Sequence, residues 1–340
     1  MTHIRNWALP ALLFFCPGLG SAAEPADSGY HVLKKIDVGG EGGWDYLTMD
    51  SATGRLYIAR SDRVIVLDVE KGKVVGEVTK TPGIHGVALV PKHKKGFTSN
   101  GGDSTVTIFD LENLKEIAKV NVGKRPDAII YDPASDRVFT FNAGSKDTTA
   151  LASEDGAVAG TVELGGKPEF AVADEKGLVY VNIEDKNEVV VIDSKKLKVK
   201  ERLKLAPGEE PTGIAMDREK RRLFVSCHNE KMVVLDADSG KVLATPAIGK
   251  GTDACVFDQS AGLAFSSNGD GTLTVVEAKP GDKYKVVDNV ATQAGARTMA
   301  LDTKTHHIYL ATARFKPLAA GERGRPKIEP NSFLILEVGK

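Results

Sequence analysis

The chain has 340 residues, with 45 basic and 46 acidic side chains and a formal net charge of −1. That balance excludes the strongly basic surface on which general attraction to nucleic acid depends. No apolar run reaches the roughly 20 residues that a membrane-spanning helix requires, so no transmembrane segment is expected.

Residues 1–23 read as a signal peptide. Arg5 supplies the positive start, Trp7 to Leu19 is a short apolar stretch interrupted by Pro10 and Pro17, and Ser21-Ala22-Ala23 is a small-residue cleavage site before Glu24. Cys16 follows Phe14-Phe15 rather than a small residue, which argues against a lipid anchor. Export to the periplasm is expected, with secretion as the second destination. Cleavage removes one Arg and no acid, leaving 44 basic against 46 acidic residues, a net of −2. It also leaves two cysteines, Cys227 and Cys255. Two cysteines in an oxidising compartment can pair. A bridge and two buried free thiols both stay open, since a bridge needs Cα atoms within roughly 7 Å.

After the leader, one pattern recurs. The segment Val32-Leu33-Lys34-Lys35-Ile36-Asp37-Val38-Gly39-Gly40 reads as a lone strand. Seven copies of a longer unit follow, marked by the first polar residue before each apolar run: Asp45, His85, Asp127, Glu169, Thr212, Asp253 and Arg297. The markers lie 40, 42, 42, 43, 41 and 44 residues apart. In each unit an apolar run such as Gly213-Ile214-Ala215-Met216 ends at Asp or Asp-Pro, which is turn chemistry. A second run, such as Leu223-Phe224-Val225-Ser226, follows. A third is rich in β-branched residues, and a turn such as Asp238-Ser239-Gly240-Lys241 leads into a fourth. No segment sustains a 3.6-residue period over three turns.

Four short strands per unit at this period predict an all-β chain, a seven-bladed β-propeller with four-stranded blades. The last unit supplies three strands, the third being Phe333-Leu334-Ile335-Leu336-Glu337-Val338. The lone N-terminal strand is therefore expected to complete that blade and close the ring, which removes open sheet edges. Residues 24–340 are expected to form one propeller domain. The unit at Arg297 is interrupted by residues 314–331, a loop carrying Arg314, Lys316, Arg323, Arg325 and Lys327. Loops this long are usually functional or disordered, and a basic flap over the channel is the functional reading.

The pieces Pro211-Thr212-Gly213-Ile214-Ala215, Leu178-Val179-Tyr180-Val181-Asn182 and Val189-Val190-Val191-Ile192-Asp193 resemble YVTN-type β-propeller repeats. From about residue 30 to the end, the chain is similar to the YncE family of bacterial periplasmic propellers. The resemblance implies the fold and the compartment. It says little about activity, because propellers host many functions.

In a propeller the innermost strands begin where the second strands end, on one face around the central channel. The markers form one ring on that face. The second-strand ends, Arg60, Asn100, Asn142, Asn182, Cys227, Ser267 and Thr312, form another. Polar residues at strand ends often serve only local backbone groups. The marker ring nevertheless collects Asp45, His85, Asp127, Glu169, Asp253 and Arg297. This carboxylate–imidazole–carboxylate arc suits a cationic ligand, a divalent cation, or a histidine held as a general base. The ligand-binding expectation covers Asp45, His85, Asp127, Glu169, Asp253, Arg297, Trp44, Arg60 and Asn142. Trp44 lies in the Gly-rich run Gly39–Tyr46 and is expected either to wall the channel mouth or to pack over the first blade. His228, beside Cys227, is a further candidate ligand.

No Gly-X-Ser-X-Gly, His-Glu-X-X-His or Cys-X-X-Cys-His occurs. The primary expectation is a binding or scaffold protein, expected to be monomeric, that takes a small molecule or protein partner at the channel face. No resident cofactor is expected, a divalent cation being the one candidate that the arc admits. The alternative is a metal-dependent lyase or lactonase with His85 as base and Asp45, Asp127 and Glu169 around it. Single-stranded nucleic-acid binding, raised by the family resemblance, would need stacked aromatics and a basic groove, which the net charge argues against.

Overall fold

The computed structural model describes residues 28–316 and 327–340. The expected signal peptide, and Arg323 and Arg325 of the blade-seven insert, lie outside the described residues. Within them the chain is almost entirely β, with two single-turn 3₁₀ segments, Pro91–His93 and Glu184–Lys186. The strands form seven four-stranded antiparallel sheets, the blades of one propeller. Blade one begins with inner strand Leu47–Asp50. The inner strands of blades two to seven are Ile84–Val90, Pro126–Asp132, Pro168–Ala173, Pro211–Asp217, Thr252–Asp258 and Thr298–Leu301. The N-terminal strand His31–Asp37 is the outermost strand of blade seven, paired antiparallel with Leu334–Gly339. The closure expected from the sequence is thus present.

Aspartates punctuate the blades as their turn chemistry requires. Asp50, Asp132, Asp217 and Asp258 end first strands, Asp174 and Asp302 directly follow theirs, and each accepts a backbone N–H two residues on, at 2.8–3.2 Å. Blade two has Val90-Pro91 there and turns through a 3₁₀ segment instead. These six aspartates are therefore consumed by turns rather than available to a site.

Cohesion lies between blades. Seven apolar clusters each join two adjacent blades, as where Phe139, Phe141 and Ala150 of blade three meet Val179, Val181 and Val190 of blade four. Full burial of each such Val, Leu, Ile or Phe contributes about 1.5–3 kcal/mol. At Gly213 a Cβ would lie 2.4 Å from the Cys255 backbone nitrogen, so glycine lets blades five and six approach. Cys227 and Cys255 are free, buried thiols. Burial pushes the Cys227 thiol up to about 12 and raises Cys255 as well.

Candidate functional site: the polar mouth of the channel

The register confirms which ends share a face: Ile84 opposes Asn100, Pro126 opposes Asn142, and Thr252 opposes Asn268. The marker residues sit at the starts of the inner strands. Their own backbone carbonyls lock blade to blade. The Ser99 hydroxyl donates to the Asp127 carbonyl and the Ser267 hydroxyl to the Arg297 carbonyl. The Asn182 amide donates to the Thr212 carbonyl at 2.7 Å, and the Tyr46 amide to the His85 carbonyl at 3.1 Å. The backbone of the ring is fixed; Thr212 is itself buried, its hydroxyl donating to the Ser226 and Thr252 carbonyls at 3.4 Å, while the charged markers are left to the mouth.

Asp45, His85 and Asp127, from blades one to three, come together there. His85 Nδ1 lies 2.6 Å from Asp45 Oδ2 and 3.7 Å from Asp127 Oδ1. Burial disfavours the imidazolium, but the hydrogen bond it donates to Asp45 and the charges of Asp127, Asp45 and Glu169 outweigh it, so the His85 pKa is raised. Asp127 is also raised, first by burial, with His85 opposing and Asp45 adding to the shift. The imidazole is seated by glycine: a Cβ on Gly101 would lie 2.8 Å from His85 Nε2.

Glu169 of blade four completes the arc. Lys167 Nζ donates to it at 2.6 Å and also bridges to Glu184. Burial, then repulsion from Asp127, pushes the Glu169 carboxyl up to about 8, and the Lys167 ammonium opposes without overcoming them. Across the mouth, Asp253 faces Arg297 at 3.5 Å. Burial raises Asp253 to about 6, with Arg297 pulling it down and Asp45 and Asp127 pushing it up. Carboxyl groups that resist ionisation because they share a desolvated space mark candidate functional sites.

Tyr46 was visible in the sequence only as a neighbour of Asp45. It is buried, its ring reaches Phe170 of blade four edge-on at 4.9 Å, and its hydroxyl lies 3.4 Å from Glu169 Oε2. It crosses from the first blade to the fourth and forms a septum in the channel. Desolvation, followed by the surrounding carboxylates, holds its hydroxyl protonated well above the ordinary tyrosine range. The sequence does carry a signal for this. The residues after the seven markers are Tyr46, Gly86, Ala128, Phe170, Gly213, Ala254 and Thr298, so small residues make room for two aromatic rings. A Cβ on Gly86 would sit 3.3 Å from the Tyr46 ring.

Three expected site residues are placed elsewhere. Arg60 is fully buried, and its guanidinium donates to the carbonyls of Gly39, Gly40, Glu41 and Gly42 at 2.8–3.4 Å while lying 4.0 Å over the Phe333 ring. Desolvation lowers it to about 10. It seals the seam between blades seven and one, and its remaining Nε is buried there without a partner among the described residues rather than presented at the mouth. Trp44 packs on Phe333 at 5.2 Å and Phe315 at 6.4 Å, covering the same seam. Asn142 is fully buried and clamps Asp147 and Thr149 of the next strand at 2.6 and 3.0 Å. Asn100 and Asn268 clamp paired threonines in the same way. Ser267 and Asn182 are each one residue short of their strand ends, Asn268 and Ile183, and so face the neighbouring blade. His228 lies 3.3 Å from Glu210, outside the arc. In the blade-seven insert, Phe315 bridges to Ile328, and Arg314 is paired with Glu329 at 3.2 Å.

At the opposite mouth the inner strands line a cavity of about 570 Å³ with Met49, Leu89, Tyr131, Met216, Phe257 and Leu301. No described helix is long and apolar enough to cross a membrane.

No family model and no curated protein matches the chain. Solved structures do. Hydrazine synthase of Kuenenia stuttgartiensis superposes with TM-score 0.69 at 14% identity, covering 87% of this chain and 96% of that one. U3-55K gives 0.74 at 10%, covering 92% and 99%. A chain of the mitotic checkpoint complex gives 0.71 at 14%, covering 88% and 95%. At such identities the likeness extends to the β-propeller fold alone.

Proposed function

We propose that this is an exported propeller binding protein whose polar channel mouth recognises a small cationic ligand or a cationic group on a partner. The observation that carries the reading is the gathering of Asp45, Asp127, Glu169 and Asp253 from four blades around one desolvated space, against Lys167 and Arg297. Bringing carboxyl groups together in low dielectric is unfavourable, and an incoming cation relieves it. Tyr46 reaches Phe170 from blade one to blade four beneath these carboxyls, and a ring placed there favours a compact group over a threaded chain. Export rests on the leader-like residues 1–23.

Calorimetry with spermidine, arginine, choline and divalent chlorides tests this. At least one cation should bind wild type and lose roughly tenfold or more with Asp127→Asn, a change of about 1.4 kcal/mol. Equal binding by a folded Asp127→Asn protein, or no binding of any cation, would sink the reading.

A second reading, hydrolysis or elimination on a cyclic ester, draws on the 2.6 Å contact that orients His85 against Asp45. Turnover of a lactone panel that disappears in His85→Gln would favour it over simple binding.

A further inference from the structure

We infer that Asp45, His85 and Asp127 form a three-ligand site for a divalent first-row transition ion such as Mn²⁺, Co²⁺ or Zn²⁺. This rests on the polar mouth being a cation site and goes further by naming the ion class and its ligands. One donor atom from each of the three residues lies within 4.8 Å of the other two. Ions of this class hold nitrogen and carboxylate oxygen at about 2.0–2.2 Å, so donors on one ion sit roughly 3–4.4 Å apart. His85 Nδ1 and Asp127 Oδ1, at 3.7 Å, already satisfy that spacing. His85 Nδ1 and Asp45 Oδ2, at 2.6 Å, share a proton. When an ion takes the proton's place between them, the proton leaves to solvent and the pair opens by about half an ångström.

The donor set selects the ion. One imidazole and two carboxylates suit manganese, iron, cobalt or zinc better than magnesium, which prefers oxygen and keeps its water. Three protein ligands leave positions facing the mouth for water or a ligand. The surroundings are built to hold the ligands still. Asp127 is anchored through its carbonyl by Ser99, and its side chain is enclosed beside Tyr46, whose hydroxyl reaches on to Glu169. Gly101 sits against the His85 ring, in space a side chain would fill. Enclosed partners of this kind orient ligands at metal sites.

The test uses the whole chain, stripped with chelator and dialysed, then titrated with Mn²⁺, Co²⁺, Zn²⁺ and Mg²⁺ alone. One transition ion per chain should bind, with Mg²⁺ weaker by roughly tenfold or more. Bound Co²⁺ should show a visible absorption band. His85→Gln and Asp127→Asn should each weaken binding at least about tenfold, and His85→Gln should change the band. Arg218→Ala, at the opposite mouth, should bind the ion as wild type does, and thermal unfolding identifies any variant that fails to fold. No stoichiometric ion at millimolar metal would overturn the site, as would folded His85→Gln and Asp127→Asn proteins that bind like wild type. If spermidine or arginine binds while no transition ion does, the metal site falls and the cation-binding reading stands. If nothing binds, both fall.

Discussion

The two mouths of the channel are opposite ends of the same inner strands, roughly 13 Å apart at four residues of strand rise. At one end stand Asp45, His85, Asp127, Thr212, Asp253 and Arg297. Four residues on stand Met49, Leu89, Tyr131, Met216, Phe257 and Leu301. That end is mixed, with Thr48, Glu175 and Arg218 beside these side chains, and its apolar members follow from packing: side chains of inner strands meet neighbouring blades, and apolar side chains there need no partners. The polar end does not. It holds carboxyls that burial pushes toward neutrality, together with the groups that restrain them, Lys167, Arg297 and Tyr46. An arrangement that packing disfavours is where function is best sought.

The sharpest way to break this contrast is to remove the wall between the mouths. Tyr46→Ala should destabilise the protein by about 3–5 kcal/mol in urea unfolding, the range for a large buried ring replaced by Ala. Tyr46→Phe keeps the septum and should cost only about 1 kcal/mol. If Tyr46→Ala cost no more than Tyr46→Phe, the ring would not be a septum. Arginines compare the mouths next. Arg60→Ala at the polar-face seam strands several carbonyls and should cost about 3 kcal/mol.

Glu169→Gln sharpens the electrostatic side. Its folded pKa, about 8, lies above the unfolded value of 4.5. The folded state therefore holds more protons between those values. Its contribution is fully present below pH 4.5 and is lost as pH rises through 8. Wild-type Tm should fall between pH 5 and 8 by more than the Tm of Glu169→Gln, and parallel profiles would remove the assignment. The smallest effect is expected at the apolar mouth. Arg218 pairs with Glu175 at 3.2 Å in an exposed setting, and Arg218→Ala should cost less than about 1 kcal/mol.

The repeat was legible because each blade needs the same local chemistry. Turn aspartates, β-branched third strands and the stray N-terminal strand are all local features, and their period counted the blades. The arc Asp45, His85, Asp127 was legible for the same reason, since equivalent positions in adjacent blades must be neighbours. Arg60, Trp44 and Asn142 were not separable from it. A sequence position says that a residue starts or ends a strand, and does not say whether its side chain turns toward the mouth, the seam or the next strand. The one-residue offsets at Asn182 and Ser267 show how sharply this matters, because side chains alternate faces along a strand.

By itself the sequence determined the number of blades, the closure of the ring and the face that carries polar residues, because each follows from a period and from strand-end chemistry. Only the tertiary structure decided that Tyr46 crosses to Phe170, that Lys167 holds Glu169, and that Arg60 belongs to the seam. The Tyr46 and Arg60 contacts join residues of different blades and depend on how the blades close around one axis, while Lys167, two residues from Glu169, is turned onto it and Glu184 by the local fold of blade four.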